Sequence, residues 1–378
     1  MIIGIDASNI RAGGGITHLV ELLRAAESEK HGIEKVIVWG NKNLIKLLPE
    51  KSWLQCMHEP LLDKNYFFRI YWQIFKLSKL AKKYCDVLFI PGGTYLGKFK
   101  PYVTICQNML PFDFRETCRY FPRLRFFKFL LLRYLQARTF KRANGLIVLS
   151  NYIKNPLNKF LKKSSARIAV IPHGINNIFY QNVKTQKNID EYNEENPFRF
   201  SYISTVDYYK HQWHVIDAVA RLRRSGFPVS LDVIGAAYPP ALKRLQKSLK
   251  KNDRNGDFIR YVGGVKYDQL PQYYNNADAF IFASSCETFG NILLEAMSSS
   301  LPIACSSKSV MPEILQDAGI YFDPEDSADI SKSLCKLIND CKLRENIAQK
   351  AQKYAKAYSW QRCADETFEF LEETNIRS

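Results

Sequence analysis

The sequence lacks most of the devices that mark a specialised class. Its nine cysteines (Cys56, Cys85, Cys106, Cys118, Cys286, Cys305, Cys335, Cys341 and Cys363) are odd in number and form no C-x-x-C. Neither a disulfide framework nor a zinc site is suggested, and a reducing cytoplasm is expected. No apolar run approaches the roughly 18 residues of a membrane span, and "MIIGIDASNI" carries no basic leader or cleavage site, so a protein neither exported nor membrane-spanning is expected. A G-x-G-x-x-G turn is absent: "RAGGGITHL" has different spacing, which argues against a nicotinamide-dependent oxidoreductase. There is no D-x-D triplet, the nearest being "DPED" at 323–326. Of His18, His31, His58, His173, His211 and His214, only His211 and His214 share a helical spacing; they read as a surface pair or ligand contacts, not a metal site. Heptads, low-complexity tracts and short repeats are missing as well.

Acid is missing locally. With 54 Lys+Arg against 37 Asp+Glu the net charge is +17, and two windows supply 14 of it. Residues 64–85 hold six basic residues and no acid; residues 117–142 hold eight and none. In both, aromatic residues interleave with the cations.

What is present is a globular composition, 46% hydrophobic and 24% charged, in a chain of 378 residues that is too long for one ordinary core. Two domains are expected. Apolar runs alternate with helical patterns: "IIGID", "VIVWG", "DVLFIP", "YVTICQN", "GLIVLS", "IAVIP", then "FSYIST", "SLDVIG", "FIRYVGG", "AFIFAS" and "PIACS". Continuous apolar strands separated by helices predict parallel sheets covered on both faces, hence an α/β fold of two Rossmann-like domains. The polar stretch 181–198 has no apolar period and is expected to be the surface connection between them.

In open α/β sheets ligands lie beyond the carboxyl ends of strands, at helix N-termini that attract anions. Two such places stand out. After "IIGID", Gly13, Gly14 and Gly15 precede a helix and permit close backbone approach, although a Gly-rich turn is equally an ordinary flexible loop. After "AFIFAS", Glu287 lies in the loop and Glu295 inside the next helix, with Phe289, Gly290 and Asn291 at its start. Two carboxylates there suit a ligand rich in hydroxyls, such as a nucleotide sugar; acids near a helix start are also favoured by its dipole alone.

The surrounding residues sharpen the reading. "SSCETFGNILLEAMSSSLPIACSSKSVMPEILQDAGIYFDP" (284–324) resembles the E-x7-E signature of retaining glycosyltransferases of family 4, which have the GT-B fold. "VIPHGINNIF" (170–179), "KRANGLIVLS" (141–150), "YVTICQNMLPF" (102–112) and "YSWQRCADETFEFLEE" (358–373) resemble further landmarks, so the likeness covers nearly the whole chain. It implies an acceptor-binding N-terminal domain over 1–180, a linker over 181–198, a nucleotide-sugar-binding domain over 199–357, and a C-terminal helix over 358–378 that returns to the first domain.

The resemblance also implies roles. Glu287 holds hydroxyls of the transferred sugar and Glu295 those of the ribose, while Lys210 binds the donor diphosphate and neutralises the departing nucleotide. Phe289, Gly290, Asn291 and the Gly13–Gly15 loop complete the phosphate cradle. Departures are instructive. Thr205 stands where the family usually has an arginine, leaving a clamp to another cation such as His211; Gln107 and Asn108 occupy the place of a sugar-site histidine; Ser300 stands where glycine is common. The "DPED" stretch falls in a region the family uses as a surface loop, and no divalent ion or other cofactor is expected. The implied activity is transfer of a hexose or deoxyhexose, from a GDP- or UDP-linked donor to an undecaprenyl-linked glycan, in O-antigen, capsule or other surface-polysaccharide assembly. An inactive binding subunit of the same fold, or another Rossmann enzyme, is the alternative.

The basic windows fall in the expected acceptor domain. Their cations, including Arg69, Lys76, Lys79, Lys83, Arg123, Arg125, Lys128 and Arg133, are expected to face an anionic membrane surface, with the protein peripheral on the inner face of the plasma membrane. No recognised nucleic-acid motif accompanies them, and no nucleic-acid partner is expected.

Overall fold

A computed structural model of the chain describes residues 1–11, 13–161 and 164–376; Ala12 of the glycine loop and the last two residues of the expected 358–378 element lie outside the described residues. The chain divides into two compact units. The first comprises Met1–Phe112, Pro122–Gly174 and the chain from Tyr358 onward; the second comprises Asp113–Phe121 and Ile175–Ala357.

The first unit is built on strands β1 (Ile2–Asp6), β2 (Lys35–Gly40), β3 (Leu54–His58), β4 (Val87–Ile90), β5 (Tyr102–Cys106), β6 (Gly145–Val148) and β7 (Arg167–Val170). They pair in the order β3-β2-β1-β4-β5-β6-β7, every pair parallel. The chain leaves β1 toward one edge and resumes at β4 on the other side, so the order reverses between these two strands. β4, β5 and β6 are buried along their whole length, as expected of a parallel sheet covered on both faces. The C-terminal helix Trp360–Ile376 packs over β4, β5 and β6 and against the helix Gly14–Ala25. Glycine at 174 makes the approach possible, because a Cβ there would lie 2.1 Å from the Trp360 nitrogen.

The second unit repeats the pattern with β8 (Phe198–Ile203), β9 (Val229–Ile234), β10 (Ile259–Gly263), β11 (Ala279–Phe282), β12 (Ile303–Ser306) and β13 (Ile320–Phe322). The order is β10-β9-β8-β11-β12-β13, again all parallel, and it reverses between β8 and β11. Every apolar run named from the sequence is a strand. β3 and β13 are additional, and both are edge strands: β3 exposes Gln55, Met57 and His58, and β13 has three residues.

The polar stretch 181–198 lies at the surface but is strapped to the second unit. Lys184 Nζ donates to the carbonyls of Asn275 and Ala277. The fully buried Arg344 donates to the Leu337 and Ile338 carbonyls at 2.8 and 2.5 Å, to the Gln186 side chain at 3.0 Å, and to the Lys187 carbonyl.

Candidate active site

In the second unit β8 runs into Ser204–Asp207, one tight helical turn (Tyr208–Lys210), and then the helix Gln212–Arg224. Asp207 fixes the turn: its carboxylate accepts the Tyr208 N–H at 2.8 Å and the Tyr120 hydroxyl at 2.7 Å. The Tyr202 hydroxyl donates to the Lys210 carbonyl, and the Lys210 ammonium lies over the rings of Tyr209 and Phe282 at 5.0 and 4.9 Å. Next door, β11 leads through Ser284–Gly290 into the helix Asn291–Ser298, with Gly290 at φ 83, a left-handed conformation that glycine adopts without steric cost.

These two loops bring Lys210 and Glu287 into an ion pair, and the Ser284 hydroxyl donates to the same Glu287 oxygen at 2.6 Å. Ser309, after β12, grips the Glu287 backbone: its hydroxyl accepts the Glu287 N–H at 2.9 Å and donates to the Glu287 carbonyl at 3.0 Å. The pair thus stands at the strand-order reversal, where open α/β sheets bind ligands. Lys210 is 4% exposed and Glu287 16%. A nearly dry ammonium whose counter-ion is a carboxylate can exchange that carboxylate for a more highly charged diphosphate, freeing Glu287 to accept hydroxyls.

Glu295 is buried in the following helix, where the Tyr274 hydroxyl donates to Oε2 at 2.8 Å. Burial pushes its carboxyl up to about 7, against the single lowering effect of that hydrogen bond. Oε1 has no protein partner among the described residues. Phe289 is buried, Asn291 opens the helix, and Thr205 is exposed, its carbonyl accepting from Gln212 Nε2 at 3.0 Å.

His211 corrects two expectations. It is fully buried, not part of a surface pair, and its Nε2 lies 2.9 Å from the Ser285 hydroxyl. Burial, together with Arg119, pushes its pKa down to about 3, so its neutral form is favoured and it does not stand ready as a cationic clamp. His214 stacks on it at 5.5 Å. The cation that sequence reasoning missed is Arg119. It arrives on Asp113–Phe121 and forks onto Glu116 at 2.7 and 3.2 Å, and it reaches Glu325 at 2.8 Å. Glu325 also holds Lys308 and Arg115, at 3.2 and 2.9 Å; burial pushes its carboxyl up, but the hydrogen bonds from Arg119 and Lys308 outweigh this and bring it down to about 2. The "DPED" stretch is therefore an ion-pair anchor, not a simple surface loop. Glu116, His211 and Glu325 gather ligand atoms within 4.8 Å of one another, but both carboxylates are already compensated by Arg119.

In the first unit the glycine loop and Gln107 are neighbours. Gly13 has φ 64, the helix begins at Gly14, and a Cβ on Gly15 would lie 3.7 Å from Gln107 Oε1. The Gln107 amide is 3.1 Å from His18 Nδ1, and His18, held neutral by burial beside His173, stacks on that ring at 4.6 Å. Asn108 accepts the Leu110 N–H at 3.0 Å and shapes the loop after β5. His18 was legible only as a histidine one turn into the helix that follows three glycines.

Residues 184–354 match the family described as glycosyl transferases group 1, and residues 12–177 match glycosyltransferase family 4. The chain belongs to this glycosyltransferase superfamily. The O-antigen chain mannosyltransferase B of Escherichia coli is 36% identical over 123 residues, 32% of this chain and 32% of that protein, so the chain matches about a third of the length of this curated relative. Among solved structures, sucrose-phosphate synthase from Thermosynechococcus elongatus superposes with a TM-score of 0.78 at 16% identity over 100% of both chains. HepE of Anabaena, solved in complex with UDP, gives 0.68 at 18% identity over 98% of this chain and 99% of its own. The fold is GT-B.

The glycosyltransferase chain places its basic windows on helices. The first forms Tyr66–Tyr71, a π-helical turn Trp72–Leu77, and Ser78–Tyr84. Tyr66, Phe67, Tyr71 and Phe75 are exposed, as are Lys76, Lys79 and Lys83. The second window is divided: 117–121 belongs to the second unit, while the helix Leu124–Arg142 lies in the first and exposes Leu124, Phe127, Lys128, Leu131 and Tyr134. Arg69 departs from expectation: it is half-buried and donates to Asn9 Oδ1 at 3.1 Å. Arg125 and Arg133 are also half-buried, Arg133 lying 4.9 Å over the Phe160 ring. No helix among the described residues is long and apolar enough to cross a membrane.

Proposed function

We propose that this protein is a retaining, metal-independent glycosyltransferase that moves a hexose or deoxyhexose from a GDP- or UDP-linked donor to a lipid-linked glycan in surface-polysaccharide assembly. The observation that carries the reading is the Lys210–Glu287 pair at the strand-order reversal of the second sheet. Lys210 takes the donor diphosphate and stabilises the charge that develops as the nucleotide departs, which is where a fixed cation lowers a barrier most. Released from the lysine, Glu287 accepts hydroxyls of the transferred sugar, with Ser284 and Ser309 holding it in place. Glu295 accepts ribose hydroxyls through Oε1. The UDP-bound relative and the O-antigen relative support the donor class and the pathway class respectively.

The exposed aromatic and cationic helices of the first unit suit an anionic membrane surface, each nearby cation contributing about 1 kcal/mol, and so suit a peripheral enzyme on the inner leaflet with a lipid-linked acceptor. Hydrolysis of a panel of nucleotide sugars, with the anomer of the released sugar followed by NMR and a chelator arm, tests the whole reading. Retention that survives chelator is expected. Inversion, or loss of activity rescued by magnesium or manganese, refutes the mechanism, and inertness toward every donor favours a binding subunit.

A further inference from the structure

We propose that the first unit carries a binding site for a phosphate or diphosphate group, built on Arg69 at the strand-order reversal of its own sheet. Asn9 follows β1 and Thr94 follows β4, the two strands between which the order reverses. Asn9 Nδ2 donates to Thr94 Oγ1 at 3.0 Å while its Oδ1 accepts from Arg69 Nη1 at 3.1 Å, so the amide holds the guanidinium against both strand ends. Glycine at 92 allows this, since a Cβ there would lie 2.8 Å from the Asn9 Cβ. Gln73, from the π-helical turn, is pinned between the Asp6 carboxylate at 2.7 Å and the Thr94 carbonyl at 3.0 Å. Such turns recur at functional positions.

The charge arrangement asks for an anion. Arg69 Nε is buried and has no hydrogen-bond partner, and Arg69 has no carboxylate partner among the described residues. The nearby Arg11 is occupied with the Leu62 and Lys64 carbonyls, at 3.1 and 3.2 Å, and it too has no ion-pair partner among the described residues. The two guanidiniums disfavour one another. Arg69 lies 5.3 Å over the Tyr66 ring, but two like charges, one partly desolvated and neither paired with a carboxylate, make a costly arrangement that a bound anion relieves. The guanidinium fork matches phosphate in shape as well as in charge.

The recess, whose polar lining is Asn9, Tyr66, Arg69, Gln73 and Thr94 and whose remaining wall is apolar, is about 10 Å³, room for one oxygen-sized group. One phosphate oxygen enters it and the rest of the ligand stays at the mouth. The exposed rings of Phe67 and Tyr71 lie on the same short helix as Tyr66 and Arg69, which suits a ligand whose remainder is apolar. The ligand class, the phosphate of a lipid-linked acceptor, rests on the transferase reading above; the site itself does not.

Calorimetric titration of the full chain with inorganic pyrophosphate and with farnesyl diphosphate tests the proposal. Two sites are expected, one abolished by Lys210→Ala and the other weakened at least tenfold by Arg69→Gln and only partly by Arg69→Lys, which keeps the charge but not the fork. Tighter binding of farnesyl diphosphate at the Arg69 site identifies a lipid-linked source, and equal binding identifies a free phosphate group. A folded Arg69→Gln variant that binds both probes like the parent, in the Lys210→Ala background, overturns the site. Loss at Arg69 with no effect of Lys210→Ala sustains this site and counts against the donor reading instead.

Discussion

Replacing Glu295 by glutamine isolates one buried charge. In the folded chain its carboxyl titrates at about 7, against 4.5 for an unperturbed glutamate, because desolvation outweighs the hydrogen bond from Tyr274. The folded state therefore binds more protons than the unfolded state between these values. The sign follows: stability is greatest below the unfolded pKa, falls as pH rises toward about 7, and is flat above it. A rise of this size corresponds to a cost of about 3 kcal/mol at neutral pH. Glu295→Gln keeps the shape and the Tyr274 hydrogen bond, so it removes the cost. For a unit of this size Tm should rise by about 6–10 °C above pH 7, with little change near pH 4.5. Thermal unfolding of parent and variant across pH 4.5–8 measures this, with nucleotide binding in parallel: if ribose hydroxyls need the ionised acceptor, parent affinity should grow through the same window while the variant stays weak and flat. A stability difference that does not change with pH would refute the burial argument, and undiminished nucleotide affinity in the variant would remove Glu295 from the ribose site.

Lys210→Ala should lower turnover by about 10²–10³ or more, because a charge matched to the leaving diphosphate contributes most in the transition state; near-parental steady-state rates in a folded variant would take the lysine out of the mechanism. Arg344→Met should destabilise the second unit by about 3 kcal/mol, since it leaves the Leu337, Ile338 and Lys187 carbonyls without their donor, and equal denaturation midpoints would refute it. At Ser300, where φ is 55, glycine removes about 1 kcal/mol of left-handed strain but loses the hydrogen bonds to Gln181 and Gln352, whereas alanine keeps the strain and loses both; thermal stability should rank serine, glycine, alanine. Vesicles containing anionic lipid should capture the protein and release it as salt rises, and replacing Lys76, Lys79, Lys83 and Lys128 by glutamine should weaken capture without slowing donor hydrolysis; equal loss of both would make these cations structural.

The fold was legible because a parallel sheet buried on both faces writes its strands as continuous apolar runs, and "IIGID", "AFIFAS" and their like are such runs. β3 and β13 escaped because neither writes a continuous apolar run of any length: β3 reads "LQCMH", with Gln55, Met57 and His58 exposed, and β13 has only three residues. Lys210, Glu287 and the start of the Asn291 helix were legible from residue type and from the resemblance together. The charge state of His211 was not, since nothing local announces that a histidine next to Lys210 is buried beside Arg119. Nor was Arg119 itself, which lies in a basic window and meets Glu325, 206 positions later, only in the folded chain. Ser300 is a departure that the structure explains: the backbone there is left-handed, the conformation glycine tolerates best, and the serine hydroxyl compensates by bonding to the Gln181 carbonyl.

The allotment of Asp113–Phe121 to the second unit, and of the chain beyond Tyr358 to the first, bears on how the polypeptide emerges from a ribosome. Tyr120 waits 87 residues for Asp207, so Asp113–Phe121 stays unpaired until the second unit's main segment is made, and Gly145 waits for the Phe370 ring that sits on it, so the first unit is still incomplete when residue 174 has been synthesised. A cut at residue 174 would yield two fragments, each carrying a piece of the other. Expressed separately they should be poorly soluble, and co-expressed they should recover the folded protein by complementation.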